Sequence, residues 1–207
     1  MNKIVILKNK LTLGVMSYMP NHFTETDWTK IKGFIELFPL ATLITSFGNE
    51  IFTSHIPFII SEGKLLGHIN KNNPQFKHLD KSKVELIFHA GDAYISPSEF
   101  DTDELPTFNY AKVHIKGKAS YIDESRLIKS LVDMTDQMDN NFKLEYSHPK
   151  IDILKHFIQG FEISVDDFHG RFKMSQDKSK AHFEKAKSLV KESQAKRISY
   201  FLNNLNF

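Results

Sequence analysis

Residues 38–79 read FPLATLITSFGNEIFTSHIPFIISEGKLLGHINKNNPQFKHL, and this stretch decides the fold. Apolar runs at 41–47, 51–60 and 64–70 are separated by the turn dipeptides Gly48-Asn49 and Glu62-Gly63. They predict a meander of three short antiparallel strands. Asn73 then suits an N-cap and Pro74 the first helical residue, which predicts a short helix to about Leu79. Alternation along the second strand sets Thr53, His55, Pro57 and Ile59 on one face, and Ser54, Ile56, Phe58 and Ile60 on the other. Pro57 has no N–H for a ladder, so an edge or a bulge lies beside it.

Upstream, Thr24-Glu25-Thr26-Asp27 resembles a capping box with Asp as the acid. Trp28, Ile31, Phe34, Ile35 and Phe38 follow at helical spacing until Pro39, predicting a helix laid on the sheet. Downstream, strands are expected at 84–88 and 93–96, a loop over 97–108, and a long strand over 109–122 interrupted at Gly117. Asp123 caps a helix with Leu127, Leu131 and Met134 on its apolar side. A loop over 139–149, a short helix at 151–158, a strand at 161–165 and a lysine-rich helix at about 179–202 complete the reading. The order predicts a mainly β protein with flanking helices, an antiparallel small barrel whose open ends the helices cover. Residues 1–15 are expected to be an N-terminal extension, an added strand or loose arm without a leader's cleavage pattern, and Met16 an alternative start. The barrel domain is expected over 16–177 and a C-terminal helix over 178–207.

Composition narrows the classes. Of 207 residues 41% are hydrophobic and 18 are phenylalanine, so a sizeable, aromatic-rich core is available. A formal net charge of +2 is far from the basicity of a dedicated nucleic-acid binder. With no cysteine there is neither disulfide nor thiolate chemistry, which fits a cytoplasmic setting. No apolar run approaches the length of a membrane span. The ten histidines show neither the i, i+4 spacing of a zinc helix nor clustered acids, so no metal site is expected. One histidine suffices as a haem ligand, and that alternative stays open.

Chemistry concentrates at two places. Unpaired backbone N–H groups at the Asn73-Pro74 helix start carry partial positive charge, and His68, Lys71, Asn73 and Gln75 gather around it. That mixture suits a phosphate, although an ordinary capped helix with a solvated lysine reads the same way. His55, beside the Pro57 irregularity, is aimed at a ligand or is simply half-buried. Farther on, Tyr94 in 94–98 and Phe108 and Asn109 in 106–110 flank an acidic loop, and Lys173 follows the Gly170 turn. Aromatics with amides and a cation can wall a planar ligand. The lysine-rich C-terminal helix is diluted by Glu184 and Glu192 and reads first as a solvated face.

Taken together, several segments resemble the PaiB-type proteins of the FMN-binding split-barrel superfamily, whose members are described as negative transcriptional regulators. They are 18–23, 38–45, 55–57, Gly67-His68, 73–75, 93–98, 106–110 with Val113-His114, 160–162 and 173–176, in family order from about 17 to 177. This chain departs from the pattern at three points. Lys71 stands in place of arginine and loses the bidentate fork. Phe108 stands in place of tryptophan and loses the indole donor. Asp177, in place of asparagine, adds a negative charge near the anion pocket. The resemblance implies an FMN-binding split β-barrel that forms a homodimer with flavin at the subunit interface. The flavin phosphate is then expected near His68, Lys71, Asn73 and Gln75, with His55 from the neighbouring strand. The ring is expected near Tyr94, Phe108, Asn109 and Lys173, some of them from the other subunit. Two functions follow: a regulator acting on DNA or a partner, or a flavin-dependent oxidoreductase acting on a small molecule.

Overall fold

A computed structural model describes residues 20–100 and 105–205. Residues 1–19, which hold the expected extension and the Met16 start, lie outside them. Among the described residues, eight strands form one antiparallel sheet: β1 (Thr24–Glu25), β2 (Leu40–Phe47), β3 (Glu50–Pro57), β4 (Ile59–Ser61), β5 (Lys64–Asn70), β6 (Lys83–Ile95), β7 (Thr107–Tyr121) and β8 (Ile158–Lys173). Five α-helices flank it: α1 (Trp28–Leu37), α2 (Phe76–Leu79), α3 (Glu124–Met138), α4 (Pro149–Leu154) and α5 (Lys180–Asn203).

The spatial order is β3-β2-β6-β7-β8-β5-β4, with β1 paired to β8. β3 and β4 therefore lie at opposite edges, yet Phe58 is the single residue between them in the chain. A flat sheet cannot satisfy both facts, so the sheet curls into a half-barrel that brings its edges together. Gly67 makes the seam possible: a Cβ there would sit 2.9 Å from the Phe58 ring and 3.2 Å from Ile56. The expected single strand over 51–60 is thus two strands, and the change of edge at Phe58 also buries Ile59.

Alternation fills the interior. Ala41 and Leu43 of β2, Leu86 and Phe88 of β6, Val113 and Ile115 of β7, and Phe161 and Ile163 of β8 are all fully buried. Each large side chain contributes about 1.5–3 kcal/mol by leaving water. Phe58 meets Phe161 edge-on at 5.7 Å and closes this core. α1 adds Ile31 and Ile35. Its N-cap is Asp27, whose side chain accepts from Thr29 N at 2.9 Å; Thr24 belongs to β1 instead of capping the helix.

On the other side of β5, Leu66, Ile59, Ile122 and Met134 form a second cluster. Glu162 fixes α3 there, reaching Lys64 of β5 at 2.5 Å and Arg126 of α3 at 2.6 Å. α5 packs along β6, with Ala186 fully buried. Lys185 meets Glu99 at 3.2 Å and Arg197 meets Asp92 at 2.8 Å. No helix of the described residues is long and apolar enough to cross a membrane.

Candidate functional site

The junction from β5 to α2 is built by short-range hydrogen bonds. Asn73 Oδ1 accepts from Gln75 N at 2.9 Å, and Asn73 Nδ2 donates to Ser54 Oγ of β3 at 2.8 Å. One side chain thereby shapes the turn and ties it to the sheet edge. α2 begins only at Phe76, later than the Asn73-Pro74 pair predicts. The turn's own oxygens take the amides: Asn72 N donates to Asn70 Oδ1, Asn73 N to Asn70 O, and Phe76 N to Asn73 O.

Gln75 is 1% exposed and points inward, its Nε2 donating to Thr45 Oγ1 at 2.9 Å and to Phe52 O at 3.4 Å. Its Oε1 is enclosed without a partner. His68 Nδ1 is enclosed and unpartnered as well, and burial pushes the imidazole pKa down. A neutral His68 offers a phosphate no charge. Lys71 supplies the charge of the junction. Its ammonium donates to His156 O at 3.1 Å and Lys155 O at 3.5 Å, just past α4. An ammonium has three protons, so two carbonyls leave one for an anion. His55 is exposed on β3, its Nδ1 3.2 Å from Thr42 Oγ1.

The second group stands at the far end of the long strands. Tyr94 of β6 and Phe108 of β7 are cross-strand partners, 54% and 52% exposed, with ring centroids 5.8 Å apart. The rings meet edge to face with planes 68° apart, and the exposed face of one can stack on a planar ring. Asn109 is fully buried, and its Nδ2 donates to Ser175 Oγ at 2.9 Å. That bond orders the segment after β8, where Ser175 takes a left-handed φ of 60°. Lys173 hydrogen-bonds Thr107 Oγ1 beside this wall. The Met174–Gln176 turn also reaches the N-terminal motif, Gln176 Nε2 donating to His22 O at 3.1 Å.

The two groups do not meet within one subunit. His68 pairs with Gly160 and Tyr110 with Lys173, thirteen residues farther along β8. At ~3.3 Å per residue that is about 40 Å of strand. Ser54, Thr45 and Ser175 are the positioning partners that sequence reading missed. Thr45 and Ser175 lie within the family-like segments 38–45 and 173–176 without being singled out there, and Ser54 shows no signal beyond a small hydroxyl on a strand.

A family model described as "Putative FMN-binding domain" matches residues 17–167. The chain is 28% identical over 177 residues to "Protease synthase and sporulation protein PAI 2" of Bacillus subtilis, covering 80% of this chain and 85% of that protein. Among solved structures, the FAD and heme binding protein from Mycobacterium smegmatis superposes with a TM-score of 0.62 at 16% identity, covering 78% of this chain and 79% of that one. The flavocytochrome Anf3 from Azotobacter vinelandii gives 0.62 at 14% identity, covering 83% and 80%. At these identities the structures speak for the fold, a split barrel. The match to more than half of the sequence shows the family: this chain belongs to the FMN-binding domain family, on a split-barrel scaffold.

Proposed function

We propose that this chain is a flavin-binding regulator that works as a cytoplasmic homodimer, with FMN seated between the β5–α2 junction of one subunit and the aromatic tip of β6–β7 in the other. One observation carries the reading. The cation suited to a phosphate, and the aromatic faces suited to a ring, stand at opposite ends of β8. A second copy brings the two kinds of surface together without any rearrangement of the chain.

In this arrangement Lys71 offers its remaining ammonium proton to the phosphate. The two carbonyls past α4 hold it in place. Asn73 keeps the turn in shape through Ser54, and His55 lies on the same edge strand as Ser54. Tyr94 and Phe108 cover a ring face and exclude water from it. Lys173 sets the polar rim, and the buried Asn109 holds the segment after β8 in place through Ser175. Bound FMN supplies one- and two-electron redox chemistry. The regulatory reading is supported by the Bacillus subtilis relative, whose name assigns it to protease synthesis and sporulation.

The test uses two variants and their mixture. Lys71→Ala and Phe108→Ala homodimers should each lose FMN absorbance near ~450 nm, because every site lacks one half. Co-refolded mixed dimers should regain about half the flavin of the unaltered protein per dimer they contain, since one site in each receives both intact halves. Full flavin binding by a monomer, or no recovery on mixing, would refute the interface site. Retention of a specific DNA with a steep salt dependence that changes on flavin reduction supports regulation. NADH oxidation without DNA binding supports the oxidoreductase alternative instead.

A further inference from the structure

β8 pairs with β7 only as far as the Tyr110–Lys173 row, and β6 and β7 run on beyond it as a two-stranded arm that carries Tyr94 and Phe108. A ribbon of two strands is marginal on its own in water. Its back is small-sided: Gly91, Ala93 and Ile95 alternate with Asp92 and Tyr94, and Ala93 is fully buried. α5 lies against this back. Gln194 covers Gly91, where an added Cβ would stand 2.4 Å from its side-chain amide, and Ala186 is enclosed. Arg197 donates to the Asp92 backbone oxygen and, at 2.8 Å, to its carboxylate. Lys185 meets Glu99 at 3.2 Å, and the His182 ring meets Phe100 edge-on at 4.7 Å.

This docking is thin. Of the 24 residues of α5 only Ala186 is buried, and no residue of α5 belongs to the barrel core. Arg197 and Lys185 keep 51% and 49% of their side chains exposed, so each ion pair is weak and open to screening by salt. α5 also lies past residue 167, where the match to the FMN-binding domain ends. The barrel therefore closes without α5, whereas the arm leans on it.

We propose that α5 is a releasable strap that regulates the flavin site. Docked, it holds the β6–β7 arm in the shape that presents Tyr94 and Phe108. Released, it leaves the arm a bare ribbon, and the ring half of the site is lost. The inference rests on the flavin reading above. Coupling of this kind is reciprocal: a docked strap that favours flavin is itself favoured by bound flavin, by the same factor. Because the docking is mostly polar, added salt is the releasing condition.

Hydrogen exchange of the full chain, followed by mass spectrometry on peptides from α5, reads the strap directly. Its amides should exchange faster as potassium chloride rises from about 0.05 M to about 0.5 M. Saturating FMN should slow them about fivefold or more. Ala186→Glu sets a carboxylate against the arm, and Arg197→Ala removes an ion pair while leaving the enclosed residue alone. Both should speed exchange in α5 and weaken FMN about fivefold or more. The unfolding midpoint read from Trp28, the one tryptophan, which packs on Phe168 of the barrel, should stay unchanged. FMN that binds the unaltered protein without slowing α5, or that binds both variants as tightly as the unaltered protein, would overturn the strap and leave the flavin reading standing. A lowered Trp28 midpoint in Arg197→Ala would overturn it too, since α5 would then belong to the barrel's own stability. Failure of the unaltered protein to bind FMN would overturn the flavin reading and the strap with it.

Discussion

His68 shows how one side chain sets a pH limit. It lies on the face of β5 turned toward α3, where Leu66 meets Met134, with Nδ1 enclosed and unpartnered. Burial lowers its folded pKa below the unfolded value of about 6.5. The unfolded chain therefore takes up a proton first, and stability present above about pH 6.5 is lost as pH falls toward the folded pKa. The urea midpoint of the unaltered protein should fall between about pH 7.5 and pH 5.5, and His68→Leu should flatten that fall. His89, His114 and His169 shift in the same direction and account for the slope that persists. An equal slope in His68→Leu would show that the ring is not the source. At this scale the sequence was partly legible. The charge of Lys71 and the turn made by Asn73 follow from residue type and spacing. The inward direction of Gln75 does not, because it depends on where Thr45 and Phe52 come to lie on neighbouring strands.

Among the elements, β7 and β8 carry the strictest steric demand. Their register shifts beside Gly117, where Asp166 is the extra residue on β8. A Cβ on Gly117 would stand 2.2 Å from the Ser164 carbonyl oxygen, which is backbone and cannot swing aside. Gly117→Ala should cost about 2–4 kcal/mol in chemical denaturation. Gly33 is the matched control: it sits inside α1, and a Cβ added there would meet nothing within 4 Å. Gly33→Ala should therefore stabilise by about 0.5–1 kcal/mol. A neutral Gly117→Ala would mean that the two strands can slide. β8 was also the element least legible in the sequence. Only 161–165 read as strand, whereas pairing runs from Ile158 to Lys173. Beyond Val165 the chain turns polar at Asp166-Asp167, and its extended form is imposed by β7 and β1 across long sequence separations. β6 was likewise read as two pieces, since its bulge near Ala90 interrupts the alternation without ending the ladder.

For the whole molecule, the proposed sharing of the cofactor between two copies would tie flavin content to protein concentration. Dilution should release FMN, seen as rising flavin fluorescence, and added FMN should lower the concentration at which subunits part. Fluorescence that is independent of dilution would place the whole site in one chain. The barrel itself was legible because tight turns fix a meander and alternation fixes its inner face. The curl was not, because it follows from a strand order that no local pattern reveals. Phe58 gives that curl a last consequence. Its neighbours belong to opposite rims, so the polypeptide rivets the cylinder shut within about 7 Å, the reach of two Cα–Cα steps. Breathing that admits a guest must occur elsewhere on the circumference. Exchange of β4–β5 between copies is barred for want of slack, and two or three glycines inserted after Phe58 would supply the missing hinge.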